Sequence, residues 1–306
     1  YHIHLVEKQA QLGGFALNLK ENLEGDSPPE SAVRMAERVR LHPKITLHLN
    51  SEIIENSGYV GAFKATIGRP GGAQQIEYGS AVVATGAGAY QPSEFLYPED
   101  DRVITQLELA QRLKENPGWT ESIRQAVMIQ CVGSRNAQFP WCSRVCCSAA
   151  VKNAIELKTV NPEMQVVILY RDMRTFGFKE LFYRKARRMG VLFFRYIPED
   201  PPRVYRENDR LIVDFKDQGM GKDFRVRPDL ITLSVGMRPD EENEKIARLL
   251  KLSRTGEGFF LEAHVKLRPV DFTTAGIFLA GSAHSPRFAD EAVTMAGCAA
   301  QQAVKI

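Results

Sequence analysis

The stretch QAVMIQCVGSRNAQFPWCSRVCCSAAVKNAIELKTVNPEMQVVILYRD, residues 125–172, decides the fold. QAVMIQ and MQVVILYRD are short apolar runs of strand length, and CSAAVKNAIELKTV between them has helical spacing. Strand, helix and strand in that order predict two parallel strands joined by a right-handed crossover. The rhythm continues with a helix in KELFYRKARRM, a strand in GVLFFRYI, a hairpin in RVYRENDRLIVDFKD and a returning strand in RPDLITLSVGMRPD.

Around this unit lie two pieces of another. YHIHLVEK alternates like a strand and QAQLGGFALNL is a Gly-Gly turn leading into an apolar stretch. SAVRMAERVRLHP has helical spacing with Ser31 as its expected N-cap. A β-meander then runs to VVATG, and after a charged linker GIFLAGSAHSPRFADEAVTMAGCAAQQAV is a buried strand, a turn and a small-residue helix. The predicted class is α/β, with two dinucleotide-binding-type domains in a three-layer arrangement with β-meander insertions. Residues 1–115 plus 245–306 form the first domain and 116–244 the second.

Lys and Arg number 40 against 37 Asp and Glu, so no large basic field points to nucleic acid. No apolar run approaches the roughly 20 residues that span a bilayer, and the start has no signal-peptide pattern. The expectation is a cytoplasmic protein. Five cysteines in 306 residues are too few for a disulfide scaffold, so a tight thiol cluster points to metal or redox chemistry.

Four short signatures resemble those of two-dinucleotide-domain flavoproteins. Glu7 ends a strand where a carboxylate can accept two ribose hydroxyls, and Gly13 and Gly14 follow in a turn. Ala84, Thr85 and Gly86 form a small-residue turn that permits close cofactor approach. Gly281 and Ser282 lie before a helix N-terminus that would favour negative charge on a reduced flavin. No G-x-G-x-x-G occurs, and the βα unit that would carry it is expected upstream of Tyr1.

Four of the five cysteines follow Cys131-x10-Cys142-x3-Cys146-Cys147. Three readings compete at this point. A [4Fe-4S] cluster takes four thiolates and tolerates their spread. Tetrahedral zinc usually draws on C-x2-C knuckles, and a dithiol active site on C-x-x-C; both are absent. Cys298, alone in its helix, is expected to be a packed core residue.

MIQCVGSR, WCSRVCC, VKNAIELK, ILYRDMRTFGF, GFFLEAHVKLRPVDF and GIFLAGSAHSP resemble the HdrA component of heterodisulfide reductase and its bacterial relatives, including subunits of quinone-interacting oxidoreductase. The resemblance implies FAD in a thioredoxin-reductase-like fold and a [4Fe-4S] cluster on Cys131, Cys142, Cys146 and Cys147. It further implies a fragment without the family's ferredoxin-type modules. The function implied is electron transfer between FAD and iron-sulfur centres, in some relatives by flavin-based bifurcation. His284 and Arg135 are the candidates for tuning the flavin, and Lys266 and Arg268 for facing it or a partner. Implied partners are other heterodisulfide-reductase-like subunits, an electron-donating dehydrogenase or hydrogenase, and ferredoxin, in a multi-subunit assembly without nucleic acid. Two rivals are an NAD(P)H-dependent FAD disulfide oxidoreductase and a cofactor-free docking subunit.

Overall fold

A computed structural model describes residues 1–306, apart from the side chain of Pro117. The chain folds as two compact units, one of residues 1–18, 27–88 and 238–306, the other of 19–26 and 89–237.

The second unit is built on a five-stranded parallel sheet. Its order is Leu192–Arg195, Gln165–Tyr170, Gln125–Val132, Leu230–Val235 and Val103–Thr105. Strand side chains alternate between faces, and here each face has its own apolar set. Ala126, Met128, Val166, Ile168 and Leu230 pack with Leu109, Ala150, Val151, Ala154 and Leu157 from the helices Gln106–Glu115 and Cys146–Val160. Val127, Ile129, Val167, Leu169, Ile231 and Leu233 pack instead with Leu211, Val213 and Phe215 of an antiparallel meander, Arg203–Glu207, Arg210–Asp217 and Lys222–Val226. Both faces are therefore dry, which is why these strands read as unbroken apolar runs. Each fully buried Val, Leu or Ile contributes about 1.5–3 kcal/mol.

The domain boundaries differ from those expected. Val103–Thr105 completes the sheet edge, and helix Gln106–Glu115 supplies Leu109 and Leu113 to the core, so the second unit begins at Ala89 and not at residue 116. The change of texture after Glu115 is a connection inside that unit. Residues 19–26 also belong to it, with Leu23 against the core and Glu24 paired to Lys179 at 3.4 Å. The chain returns to the first unit at Arg238, before the expected 245.

The first unit holds a parallel pair, Ile3–Val6 with Ile45–His48, and a second, Ala81–Val83 with Ile277–Leu279. The antiparallel meander Glu52–Tyr59, Ala62–Arg69 and Gly72–Tyr78 joins them in sequence. Phe63, Val83, Phe260, Phe272, Ile277, Leu279 and Met295 form its core. Helix Pro28–Leu41 starts earlier than expected: Ser27 caps it, accepting from the Glu30 amide at 3.4 Å, and Pro28 occupies the first turn. Proline lacks an amide hydrogen that this position would leave unused, so it helps start the helix.

No helix among the described residues is long and apolar enough to cross a membrane.

Candidate functional site

In the second unit the chain leaves strand Gln125–Val132 in a conformation that most side chains avoid. Cys131 has φ 64°, Arg135 φ 57° and Arg144 φ 60°, all left-handed and none glycine. Such residues cost on the order of 1–3 kcal/mol each and persist where surrounding structure holds them, commonly at functional sites. The holding groups are clear. Ser134 Oγ donates to the Trp141 carbonyl at 2.9 Å, the Arg135 amide donates to the same carbonyl at 3.1 Å, and Trp141 Nε1 donates to the Met237 carbonyl at 3.1 Å. Ser143, fully buried, accepts the Met237 amide at 2.7 Å.

This loop carries the thiols to one place. Cys146 and Cys147 are the first two residues of helix Cys146–Val160, and both are buried. Cys131 and Cys142 are half-buried. The Cys146 and Cys147 thiols share a hydrogen bond, and Cys146 also feels the charges of Cys131 and Cys142. The bond to Cys147, burial and those neighbouring charges push the Cys146 thiol well above its ordinary value. Cys147 is pulled down to about 7, by the bond from Cys146 and then by the Arg174 backbone and the Arg174 and Arg135 charges, against burial. Burial, then the Cys147 charge, raises Cys131.

Hydrogen bonds frame the sulfurs. Arg135 Nη1 donates to Cys131 Sγ at 3.9 Å, the Arg144 amide donates to Cys142 Sγ at 3.3 Å, and Cys147 Sγ donates to the Asp172 carbonyl at 3.7 Å. Asp172 also binds Arg135 through its carboxylate at 2.6 Å. Gln130 and Ser148, the sequence neighbours of Cys131 and Cys147, carry a buried amide and a buried hydroxyl without a hydrogen-bond partner, Gln130 being 1% exposed.

Among the described residues no group of three or more His, Cys, Asp or Glu side chains is placed to hold a single metal ion. Cys131 near the end of strand Gln125–Val132, Cys142 in the loop after it and Cys146 and Cys147 at the helix start form the donor set that a polynuclear cluster would use, each thiolate meeting a different iron. The helix N-terminus and the Arg135 and Arg174 guanidinia would favour negative charge on such a group, as they do on the Cys147 thiolate.

The flavin candidates all lie in the first unit. Glu7 follows Ile3–Val6 and its Oε1 accepts the Gln9 amide at 2.8 Å, leaving its other oxygen for a ligand. Gly13 and Gly14 have φ 122° and 51°; a Cβ on Gly13 would strike Leu17, whereas one on Gly14 would meet nothing within 4 Å. Gly86, at φ 80°, likewise faces open space beside half-buried Thr85, whose Oγ1 donates to buried Asn243 Oδ1 at 2.8 Å; Ala84 is exposed. Gly281 and Ser282 form the 3-10 turn Gly281–Ala283, with Gly281 at φ 67°. Left-handed turns with room for a backbone-hugging ligand fit a dinucleotide.

His284 closes that turn and is held on both sides. Its Nε2 meets Glu262 Oε2 at 2.7 Å, and its Nδ1 lies 3.0 Å from Ser285 Oγ and 2.6 Å from Arg287 Nη2. Burial raises Glu262, but its backbone hydrogen bond, His284 and Arg287 outweigh it and hold the carboxyl below its usual range. The structure thus places His284 with the flavin candidates and Arg135 with the thiols.

One expectation needs correction. Cys298 is exposed on helix Ala289–Ala303, whose buried residues are Met295 and Ala299, so it is no core residue. Lys266 and Arg268 are both exposed, Arg268 pairing with Asp271 at 3.2 Å, so the expectation that they face the flavin or a partner stands as before. Sequence reasoning missed Asp172, Glu262 and Asn243, because each partner lies tens of residues away: 37 from Arg135 to Asp172 and 22 from Glu262 to His284.

The fold matches known structures across nearly the whole chain. Thioredoxin reductase of T. acidophilum superposes with a TM-score of 0.62 over 99% of this chain and 90% of that one, at 14% identity. The enzyme from Lactococcus lactis gives 0.61 over 95% and 86%, at 18% identity. No family model matches the chain. Among curated proteins, the HdrA component of the H(2):CoB-CoM heterodisulfide,ferredoxin reductase of Methanothermobacter thermautotrophicus is 38% identical over 246 residues, covering 75% of this chain and 37% of that protein. The corresponding iron-sulfur component of the CoB-CoM heterodisulfide reductase of Methanocaldococcus jannaschii is 36% identical over 246 residues, covering 74% and 37%.

Two α/β units in this arrangement define the class: a thioredoxin-reductase-like fold. Within it, the chain belongs to the HdrA family of heterodisulfide reductase components, and spans about 37% of the length of these curated relatives.

Proposed function

We propose that this chain is the electron-transfer core of a heterodisulfide-reductase-like complex, binding FAD on its first unit and a [4Fe-4S] cluster on its second. The observation that carries the reading is the convergence of Cys131, Cys142, Cys146 and Cys147 on one helix start, held by a strained and well-anchored loop. The name of the Methanocaldococcus jannaschii relative, an iron-sulfur component, supports it. FAD takes up an electron pair and a cluster passes electrons singly, which is why the two belong on one chain.

The chain's own residues have definite tasks in this account. Glu7 accepts ribose hydroxyls, while the turns at Gly14, Gly86 and Gly281 let backbone amides approach the dinucleotide. Glu262 fixes the His284 ring through Nε2, which holds the imidazole and the carboxylate together beside the Gly281–Ala283 turn. Arg135, held by Asp172, keeps positive charge against Cys131. Names of the relatives suggest a CoB-CoM disulfide and ferredoxin as acceptors; in this account flavin-based bifurcation divides the electrons between them. Other subunits and a dehydrogenase or hydrogenase donor complete the assembly, in the cytoplasm.

A second reading has one observation in its favour. Cys147, drawn down to about 7 and hydrogen-bonded to Cys146, is the sort of thiolate a metal-free dithiol reductase uses. Anaerobic analysis of iron, sulfide and flavin separates the two. The cluster reading expects about four iron and four sulfide at this site, and the dithiol reading expects flavin alone with disulfide-dependent NAD(P)H oxidation.

A further inference from the structure

Residues 171–188 carry a surface that neither core uses. Seven of these residues are basic and two acidic, in a chain whose whole net charge is only +3, so the remaining residues are net acidic. This segment thus carries a local excess of five positive charges, whereas the other residues together hold 33 basic and 35 acidic side chains and nearly balance. Phe178 is 88% exposed and Leu181 58% exposed. On helix Glu180–Arg188, Leu181, Arg184, Lys185 and Arg188 stand at i, i+3, i+4 and i+7 and share one outward face. Ala186, Phe182 and Tyr183 on the same helix pack against the core, which fixes that face towards water.

The segment also begins at the thiols. Asp172 accepts from Cys147 Sγ through its carbonyl, the Arg174 backbone bonds Cys147, and Arg144 lies over the Phe176 ring at 5.4 Å while its amide reaches Cys142. A protein seated on Phe178 and Leu181 would therefore lie one loop away from the cysteines. Aromatic and Arg side chains are enriched at interface centres, and a basic rim selects and steers an acidic partner.

We propose that Phe178, Leu181 and the basic face of helix Glu180–Arg188 are the docking site of a small, strongly acidic one-electron carrier protein. The proposal rests on the cluster reading above. One electron passes between the carrier's redox centre and the centre held by the four cysteines; the carrier is oxidised as this chain's centre is reduced, or the reverse. No bond is made and no proton moves.

The test uses the full-length protein, prepared anaerobically, with a bacterial two-cluster ferredoxin as the probe and iron measured in every preparation. Wild type should bind the ferredoxin with an affinity that falls at least about tenfold as salt rises from about 0.05 to 0.5 M. Phe178→Asp and the pair Arg184→Glu with Arg188→Glu should each weaken binding at least about tenfold at low salt, with iron content unchanged. Arg40→Glu, an exposed charge reversal in the first unit, should bind as wild type does. Iron-replete variants that bind as tightly as wild type overturn the docking surface alone. A wild type that binds phosphatidylserine vesicles and not ferredoxin also overturns it. Iron missing at the cysteine site of wild type removes the cluster reading itself.

Discussion

Arg135 and Asp172 are joined at 2.6 Å, Nη2 to Oδ2, while the other arm of the same guanidinium reaches Cys131 Sγ at 3.9 Å. One carboxylate thus decides where a positive charge sits relative to the thiols. Arg174 and Arg195 approach the same carboxylate at 4.0 and 3.8 Å, so Asp172 gathers three guanidinia at the edge of the site.

Asp172→Asn should lower stability by about 0.5–1 kcal/mol at pH 7, a modest figure because the carboxylate is 45% exposed and its partners are screened. The hydrogen bond from Arg135 holds the Asp172 carboxyl below its usual value. Its contribution is therefore complete above the unfolded carboxyl value of about 3.9 and is lost as pH falls through the lower folded value. Urea unfolding of both proteins at pH 7 and near pH 3 measures this. A deficit of the same size at both pH values contradicts the assignment.

Gly133 has φ 61°, and a Cβ there would stand 2.2 Å from the Tyr90 ring. Gly133→Ala should cost about 2–4 kcal/mol, combining an unfavourable backbone with a steric clash in the anchored loop. The same variant should lower iron retention, since the loop carries Cys131 to the site. Thermal unfolding together with iron content checks both, and a wild-type melting temperature would show that the loop yields more easily than its anchoring implies.

Cys298 separates proximity from mere chemistry. It is exposed and belongs to the first unit, whereas the four clustered thiols belong to the second. Cys298→Ser should leave iron and sulfide at wild-type levels, whereas Cys142→Ser should deplete both. Iron loss on substituting Cys298 would break the four-thiol assignment.

Glu7→Ala should weaken flavin retention about ten- to a hundredfold, since charged hydrogen bonds to two hydroxyls are lost. Flavin released on gel filtration of wild type and variant gives the answer. Equal retention would take Glu7 out of the site.

Much of this architecture is legible in the residues alone. Strands such as Gln125–Val132 and Gln165–Tyr170 announce themselves because both sheet faces are buried, and helix Cys146–Val160 because Ala150, Val151, Ala154 and Leu157 recur at helical spacing. Local signals compete where the reading slips. Ser31 and Ser27 both suit a helix start, and the proline following Ser27 decides between them. The boundary near residue 115 looks convincing because Pro117 and Gly118 break the pattern, yet only pairing of Val103–Thr105 with Leu230–Val235 assigns that region to the second unit. Cys131-x10-Cys142-x3-Cys146-Cys147 gives the thiols at once. Their framing by Asp172, and that of His284 by Glu262, depends on how distant strands and loops come together, which spacing along the chain does not encode.

Iron and sulfide analysis of anaerobic full-length protein, with and without Cys146→Ser, tests the central claim most directly. The account predicts that this one change removes about four iron and four sulfide per polypeptide while the flavin content stays as it was. A Cys146→Ser protein with its full complement of iron would contradict it.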